Sequence, residues 1–441
     1  MMDFRNLIGG RTSGKGKVEV RSAYYDLGFT IPDGDEEELK AALAVALASR
    51  KAIDALSVDE RTEIVREALG RLELGEEHLQ TARMTGYPVG QIRRSWDRFR
   101  EGFLEFMKRS GPSEARARPL GFFLLPDNVD IISPWAIFSA VYAGCPLVVK
   151  AGSLFPWVPV AVSKALAEAG YPEGGVNILF FRGPTAPYLT RRAMRDVLGR
   201  EGTFVGFGRD STLRAILGDD NALATEALLK GRFVFFGSGK SQGVVCRDAD
   251  QQVALASIVE SLLLPPFSCL NPKVLYLEAG VGDEFVPLLL EAVRGLKVGD
   301  PLEEGTDIGY VDERAVEEVE RVVRYSEGFG ASRLLGRPLG RNQADPYLVR
   351  GIPEDFNPLE REDYPVPILA LIEGSAEEIV RRSNAVGKAL VTSIFTREVR
   401  PVYRSIRTHH LHLNRGTRTT MLTGHQGVDL WRAFQEEVRQ G

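Results

Sequence analysis

What this chain lacks narrows its class first. Cysteine is scarce: Cys145, Cys246 and Cys269 are the only three in 441 residues. An odd number of widely spaced thiols excludes a disulfide framework and a CxxC metal site, and it fits a reducing cytoplasm. No apolar run approaches the roughly 20 residues needed to span a bilayer. The opening Met1-Met2-Asp3-Phe4-Arg5-Asn6 has none of the charged-then-apolar layout of a signal peptide. An excess of positive charge is missing as well. Lys plus Arg number 55 against 60 Asp plus Glu, a net charge of -5, which argues against nucleic acid or an anionic membrane as partner. The sequence carries no internal repeat and no low-complexity linker. What remains is ordinary for a globular protein, with 44% hydrophobic and 26% charged residues. The length asks for two or three domains rather than one core.

The first hundred residues read as helical. Asp35-Glu36-Glu37-Glu38 supplies acids for a first turn, and Leu39, Ala42, Leu43 and Ala46 follow at helical spacing. Ser57-Val58-Asp59-Glu60 has the pattern of a capping box. Beyond Gly111-Pro112-Ser113, strands and helices alternate. Strands are expected at Pro119–Leu125, Asp130–Ser133, Pro146–Lys150, Val176–Phe181, Thr203–Phe207 and Arg232–Phe236. Helices are expected near Phe138–Tyr142 and Val158–Ala169. Such alternation predicts a parallel sheet with helices on both faces and ligands at the carboxyl ends of its strands. A second α/β region follows Lys240, with strands at Val274–Leu277, Ile368–Leu371 and Thr392–Phe395 and a helix over Glu313–Ser326.

Several short segments occur in a telling order. They are Ile132-Ser133-Pro134-Trp135, Leu147-Val148-Val149-Lys150, Phe204-Val205-Gly206, Gly239-Lys240-Ser241, Cys269, Val298-Gly299-Asp300-Pro301, Thr306-Asp307-Ile308-Gly309 and Ser393-Ile394-Phe395-Thr396. Their order and spacing resemble the NAD(P)-dependent aldehyde dehydrogenase superfamily over about residues 35 to 425, as a divergent member. The resemblance implies an α/β fold with a Rossmann-type cofactor domain, an α/β catalytic domain and a small oligomerisation hairpin. The boundaries follow: 1–114 and 131–237 for the dinucleotide-binding domain, 115–130 for the hairpin, 238–425 for the thiol domain and 426–441 for a C-terminal helix. It implies NAD or NADP as cofactor and a small-molecule aldehyde or acyl thioester as substrate. It also implies a homodimer, because Leu430–Gly441 reads as an amphipathic helix with no strand after it to exchange.

The chemistry implied is addition of a thiolate to an aldehyde carbon, loss of hydride to nicotinamide, and cleavage of the resulting thioester. The resemblance makes Cys269 the nucleophile, whose pKa needs nearby dipoles or cations to lower it. Cys145 and Cys246 read as packing. Ser133, Trp135, Lys150, Ser153, Phe204, Gly206, Arg209 and Asp363 fall at positions the superfamily uses for the cofactor. Lys150 matches a lysine on the adenosine ribose, and Asp363 a carboxylate on the nicotinamide ribose. Ser153 stands where NAD-preferring members often carry Glu. A carboxylate there accepts from the ribose 2′-hydroxyl and repels a 2′-phosphate, so Ser153 predicts that NADP binds at least as well as NAD.

Two departures bear on the reaction. The general base, a Glu before the Gly-Gly-Lys turn, is Phe236. The oxyanion-donating Asn after Pro-Trp is Ala136. Loss of one oxyanion donor costs about 10²–10³ in rate, and loss of base assistance about 10²–10⁴. His410, His412 and His425 are the candidates to replace the base, and a structural role for each is the simpler alternative; no metal site is expected. Glu260 reads as a helix-surface acid. If water is not activated, a thiol such as that of CoA can take the acyl group, which gives a CoA-acylating dehydrogenase or acyl-CoA reductase. The other alternative is a cofactor-binding or scaffold homologue with impaired catalysis.

Overall fold

The computed structural model describes residues 2–14, 16–110, 116–218, 222–237, 240–353, 364–417 and 430–435. The chain forms two compact units. One comprises Met1–Met84, Arg94–Ser238 and Thr420–Gly441; the other comprises Thr85–Arg93 and Gly239–Thr419.

After five short strands between Met2 and Ile31, the first unit continues with helices whose starts were legible in the sequence. Helix Glu36–Asp54 is capped by Asp35, whose side chain accepts from Glu38 N while Glu38 reaches back to the cap. Ser57 and Glu60 make the same reciprocal pair at the start of Val58–Arg71, which satisfies amides that a helix start leaves open. The seven-stranded sheet of this unit runs in the order Phe233–Phe236, Thr203–Phe207, Gly121–Leu124, Leu147–Lys150, Val176–Leu179, Asn6–Ile8, Arg11–Ser13. The first five are parallel, and the last two are antiparallel additions at the edge. The chain leaves Gly121–Leu124 toward one side and later returns to its other side at Thr203–Phe207. That reversal creates a crevice at the carboxyl ends of these two strands, the place where open α/β sheets bind ligands.

Three expectations are corrected here. Residues 116–130 form no hairpin: Gly121–Leu124 is a fully buried central strand, parallel to both neighbours. Its Phe122 ring stacks on Phe204, which stacks on Phe233, with centroids 5.6 and 5.4 Å apart. Apolar side chains on both faces suit an interior position, not an exposed arm. Asp130–Ser133 is not a strand but the entry to helix Ile132–Ala143; Asp130 O accepts from Ser133 N and its side chain from Ile131 N. The terminal helix, described from Leu430, ends at Ala433 and does not run on through residue 435; residues 418–429 lie outside the described residues. Gln435 then bridges Ala117 in antiparallel fashion, and Arg118 N donates to Phe434 O at 2.7 Å. Residues 436–441 lie outside the described residues.

The second unit has its own seven-stranded sheet, in the order Ser332–Leu335, Tyr347–Arg350, Ile368–Gly374, Pro272–Glu278, Ser241–Val245, Ala389–Phe395, Thr408–Leu413. All neighbours are parallel except the first pair. Helix Glu313–Glu327, capped by Asp312, packs its valine face, Val316, Val319 and Val323, into this core. Residues Thr85–Arg93 belong to this unit because of glycine contacts. Gly86 takes a left-handed φ of +71°, and a Cβ there would meet Tyr310 O at 2.5 Å; a Cβ on Gly309 would strike Gly86 O. Only glycine allows these backbones so close.

Candidate functional site

Cys269 sits in the turn between helix Gln251–Leu262 and strand Pro272–Glu278, and it is partly exposed. The turn is held from within. Asn271, 1% exposed, donates its amide to Leu264 O at 3.0 Å, Leu262 O at 3.2 Å and Ser261 O at 3.4 Å. Lys273, 2% exposed, donates to Pro266 O at 2.7 Å and Tyr364 O at 2.8 Å. Ser241 Oγ donates to Cys269 O at 2.8 Å, and Thr417 Oγ1 to Leu270 O at 2.6 Å. Four side chains from three segments thus hold one short loop, with donors answering carbonyls of the helix end and turn. Neither Asn271 nor Lys273 was singled out from the sequence. The signal was there: two polar residues directly after an apolar run and a thiol, at the start of a buried strand.

The other two thiols are fully enclosed. Burial pushes the Cys145 thiol up to about 12 and raises that of Cys246, so neither is a thiolate near neutral pH.

Among the described residues, His410 stands away from the strand that follows Cys269. His410 is level with Val391, Val391 with Ser241, and Ser241 with Pro272. Three strand spacings therefore separate His410 from the strand that follows the thiol, roughly 14 Å at about 4.8 Å each. That is far beyond direct proton transfer. His412 is buried, and its Nδ1 lies 2.7 Å from Gly416 O. Burial holds both imidazoles below the ordinary histidine value. Glu260 is exposed on its helix. His425 and Asp363 lie outside the described residues. Among the described residues, no three His, Cys, Asp or Glu side chains are placed to hold a metal ion, and no helix is long and apolar enough to cross a membrane.

In the first unit, the carboxyl ends of the parallel strands carry most of the remaining candidates. Lys150 ends its strand only 9% exposed. Its ammonium stands 6.0 Å from the Phe181 ring centroid, and burial lowers its pKa against the opposing pull of Asp127. A buried cation of this kind, at a strand end and with no carboxylate bonded to it among the described residues, fits an anionic or hydroxylic ligand. Ser153 is buried in the next turn. Gly152 between them is closely approached: a Cβ would lie 2.6 Å from Pro126 O and 2.8 Å from Asp127 Oδ1. Gly206 is buried one residue before its strand ends at Phe207, and Arg209 stands exposed at the start of helix Asp210–Leu217. Phe204 is enclosed in the ring ladder, so only its backbone can meet a ligand.

Ser133 and Trp135 lie in helix Ile132–Ala143, both buried. Trp135 belongs to an aromatic group in the crevice. Phe236 stacks on Phe207 at 4.5 Å, Trp135 tilts against Phe236 at 6.0 Å and meets Phe207 edge-on at 6.2 Å, and Phe207 lies 6.0 Å from Phe123. Ala136, beside them, is wholly buried. The two positions where the resemblance expects a base and an amide donor are thus filled by hydrocarbon inside a packed group. The Lys150 strand end and the Gly152 turn fit a dinucleotide; the aromatic group is packed at the ends of Thr203–Phe207 and Phe233–Phe236.

Comparison with known proteins completes the picture. A sequence profile described as the aldehyde dehydrogenase family matches residues 12–429. A mitochondrial succinate-semialdehyde dehydrogenase of Oryza sativa subsp. japonica is 26% identical over 286 residues, covering 62% of this chain and 52% of that protein. The chain spans about half the length of several curated relatives it matches. A solved structure titled as an NAD-dependent aldehyde dehydrogenase from Sinorhizobium meliloti superposes with a TM-score of 0.81 at 21% identity, over 95% of this chain and 88% of that one. Another, titled as an E. coli NADP dependent enzyme, gives 0.81 at 20% identity, over 94% and 90%. At these identities the structural likeness speaks to the fold.

Proposed function

This chain belongs to the aldehyde dehydrogenase family, and from that premise we propose that it is an NAD(P)-dependent oxidoreductase whose Cys269 forms a covalent adduct with an aldehyde, or with an acyl thioester in the reverse direction. The single observation that carries the finer reading is the packing of Phe236 against Phe207 and Trp135. With an aromatic ring at the position where the family pattern places the base, water is not activated from there, and the acyl group on Cys269 passes to a thiol such as that of CoA.

Residue by residue, the roles are these. The Cys269 sulfur attacks the carbonyl carbon, and the held turn keeps the sulfur placed for that attack. Lys150, the Gly152 turn and Gly206 hold the dinucleotide, and Asp363 takes its second ribose. When bound, NAD(P) supplies the hydride acceptor. Backbone amides of the turn, not Ala136, supply what hydrogen bonding the oxyanion receives. The acyl group leaves when an incoming thiolate attacks the thioester, which needs no base because the thiol brings its own ionised form.

Titles of relatives support aldehydes as the substrate class and both dinucleotides as candidates. The packing of Phe123, Trp135, Phe207 and Phe236 on one another favours one other reading, a homologue that binds cofactor without turnover. A panel of aldehydes and acyl-CoAs with each dinucleotide, followed at the nicotinamide absorbance, separates them. Turnover that needs a thiol acceptor and is absent in Cys269→Ala supports the enzyme; silence across the panel with intact dinucleotide binding supports the other. A homodimer remains part of the proposal, and light scattering tests it.

A further inference from the structure

We propose that Asp127 sets the dinucleotide preference of this chain, favouring NAD over NADP. The proposal rests on the cofactor reading above and deepens it. Read from the sequence, the turn after Leu147–Lys150 has lost its acid, since Ser153 is neutral. The structure brings one back from a different strand. The chain leaves Gly121–Leu124 into Leu125-Pro126-Asp127-Asn128, and Asp127 crosses to the neighbouring turn. Its Oδ1 accepts from both Ser153 N and Leu154 N, the latter at 3.1 Å. Gly152 permits this approach, because a side chain there would collide with Pro126 O and Asp127 itself.

Two backbone amides therefore pin a carboxylate at the position where the resemblance places the ribose-binding acid, and the carboxylate is exposed to a ligand. Its charge is felt at Lys150, the expected ribose partner. An acid so placed accepts from a 2′-hydroxyl and repels a 2′-phosphate. One cation stands on the other flank. Arg182 follows Val176–Leu179, is exposed, and also acts on Lys150, though more weakly than Asp127. Its backbone amide is held by Asp33 at 3.3 Å, whereas the carboxylate of Asp127 is itself fixed in the turn. The fixed charge is the better discriminator.

Calorimetric titration of the full chain with NAD and with NADP, without substrate, tests this. We expect NAD to bind about tenfold tighter or more. Asp127→Asn keeps an oxygen for the two amides but removes the charge, and it should close the gap chiefly by tightening NADP. Arg182→Ala should leave NAD unchanged and weaken NADP at most modestly. Equal affinities in the parent, or a gap unmoved in a folded Asp127→Asn, overturn the proposal and leave the cofactor reading standing. A parent preferring NADP, with that preference lost in Arg182→Ala, assigns the choice to Arg182 instead. Binding of neither dinucleotide overturns the cofactor reading and the proposal together.

Discussion

The ring of Phe236 lies on that of Phe207, centroids 4.5 Å apart and planes 28° from parallel, at the ends of two neighbouring strands. Phe236 is 2% exposed. A residue so enclosed cannot simply be exchanged for the acid that the family places there. Phe236→Glu alone should lower stability by roughly 3–5 kcal/mol, through lost packing and a carboxyl driven toward its neutral form. Hydrolysis of the thioester should appear only when Phe207→Ser makes room and Ala136→Asn restores a donor. Urea unfolding and aldehyde oxidation without added thiol check the two statements separately.

Thiol reactivity should be uneven. Cys145 is held near 12 and Cys246 is raised, while Cys269 is the partly exposed thiol. Iodoacetamide at pH 8, followed by peptide mass mapping, should mark Cys269 at least tenfold faster than the other two. Faster labelling of Cys145 in the folded chain would contradict the burial described for it.

Asn271→Ala should loosen the Cys269 turn. The change removes the side-chain donor from the carbonyls of Leu262 and Leu264, while Ser261 O keeps Leu264 N, at a cost of about 2–3 kcal/mol. Hydrogen exchange should rise in residues 261–270 first, and Cys269 should become less selective in its labelling. An unchanged melting curve would show that the three bonds are not formed in solution.

Asp130 gives a pH-dependent prediction. It accepts from Trp96 Nε1 at 2.8 Å, yet burial raises its pKa from 3.8 to about 6. The folded chain therefore keeps a proton that the unfolded chain releases, and stability falls as pH rises from about 4 to 6. Above that window the buried charge is fully unfavourable. Asp130→Asn, which keeps an acceptor for Trp96, should add on the order of 1–3 kcal/mol at pH 8 and little at pH 3.5. Denaturant curves at the two pH values check the sign.

Much of this was legible in the sequence, for reasons that can be named. Ser57 and Glu60 announced their helix because a capping box is local chemistry. The buried strands Leu147–Lys150 and Thr203–Phe207 were short apolar runs bounded by turns. Ile131-Ile132-Ser133 misled because an apolar run of that length suits a strand or a buried helix equally, and helix Ile132–Ala143 is apolar on every side. The hairpin failed because a family pattern was laid over residues 115–130, although Gly121–Leu124 carries apolar side chains on both faces. Asp127 was invisible as a site residue because its partners, Ser153 and Leu154, belong to another strand's turn. Pairings of that kind exist only after the sheet has formed.

The central claim is that Cys269 carries the acyl group and passes it to a thiol rather than to water. Intact-protein mass measurement tests it most directly. The chain is mixed with aldehyde and the preferred dinucleotide, sampled over time, and then given a thiol acceptor. The account predicts a single acyl adduct on Cys269, about one reduced nicotinamide formed per chain, persistence of the adduct in buffer, and its discharge when the thiol is added. Continuous turnover in water with no accumulated adduct, or undiminished turnover in Cys269→Ala, would contradict it.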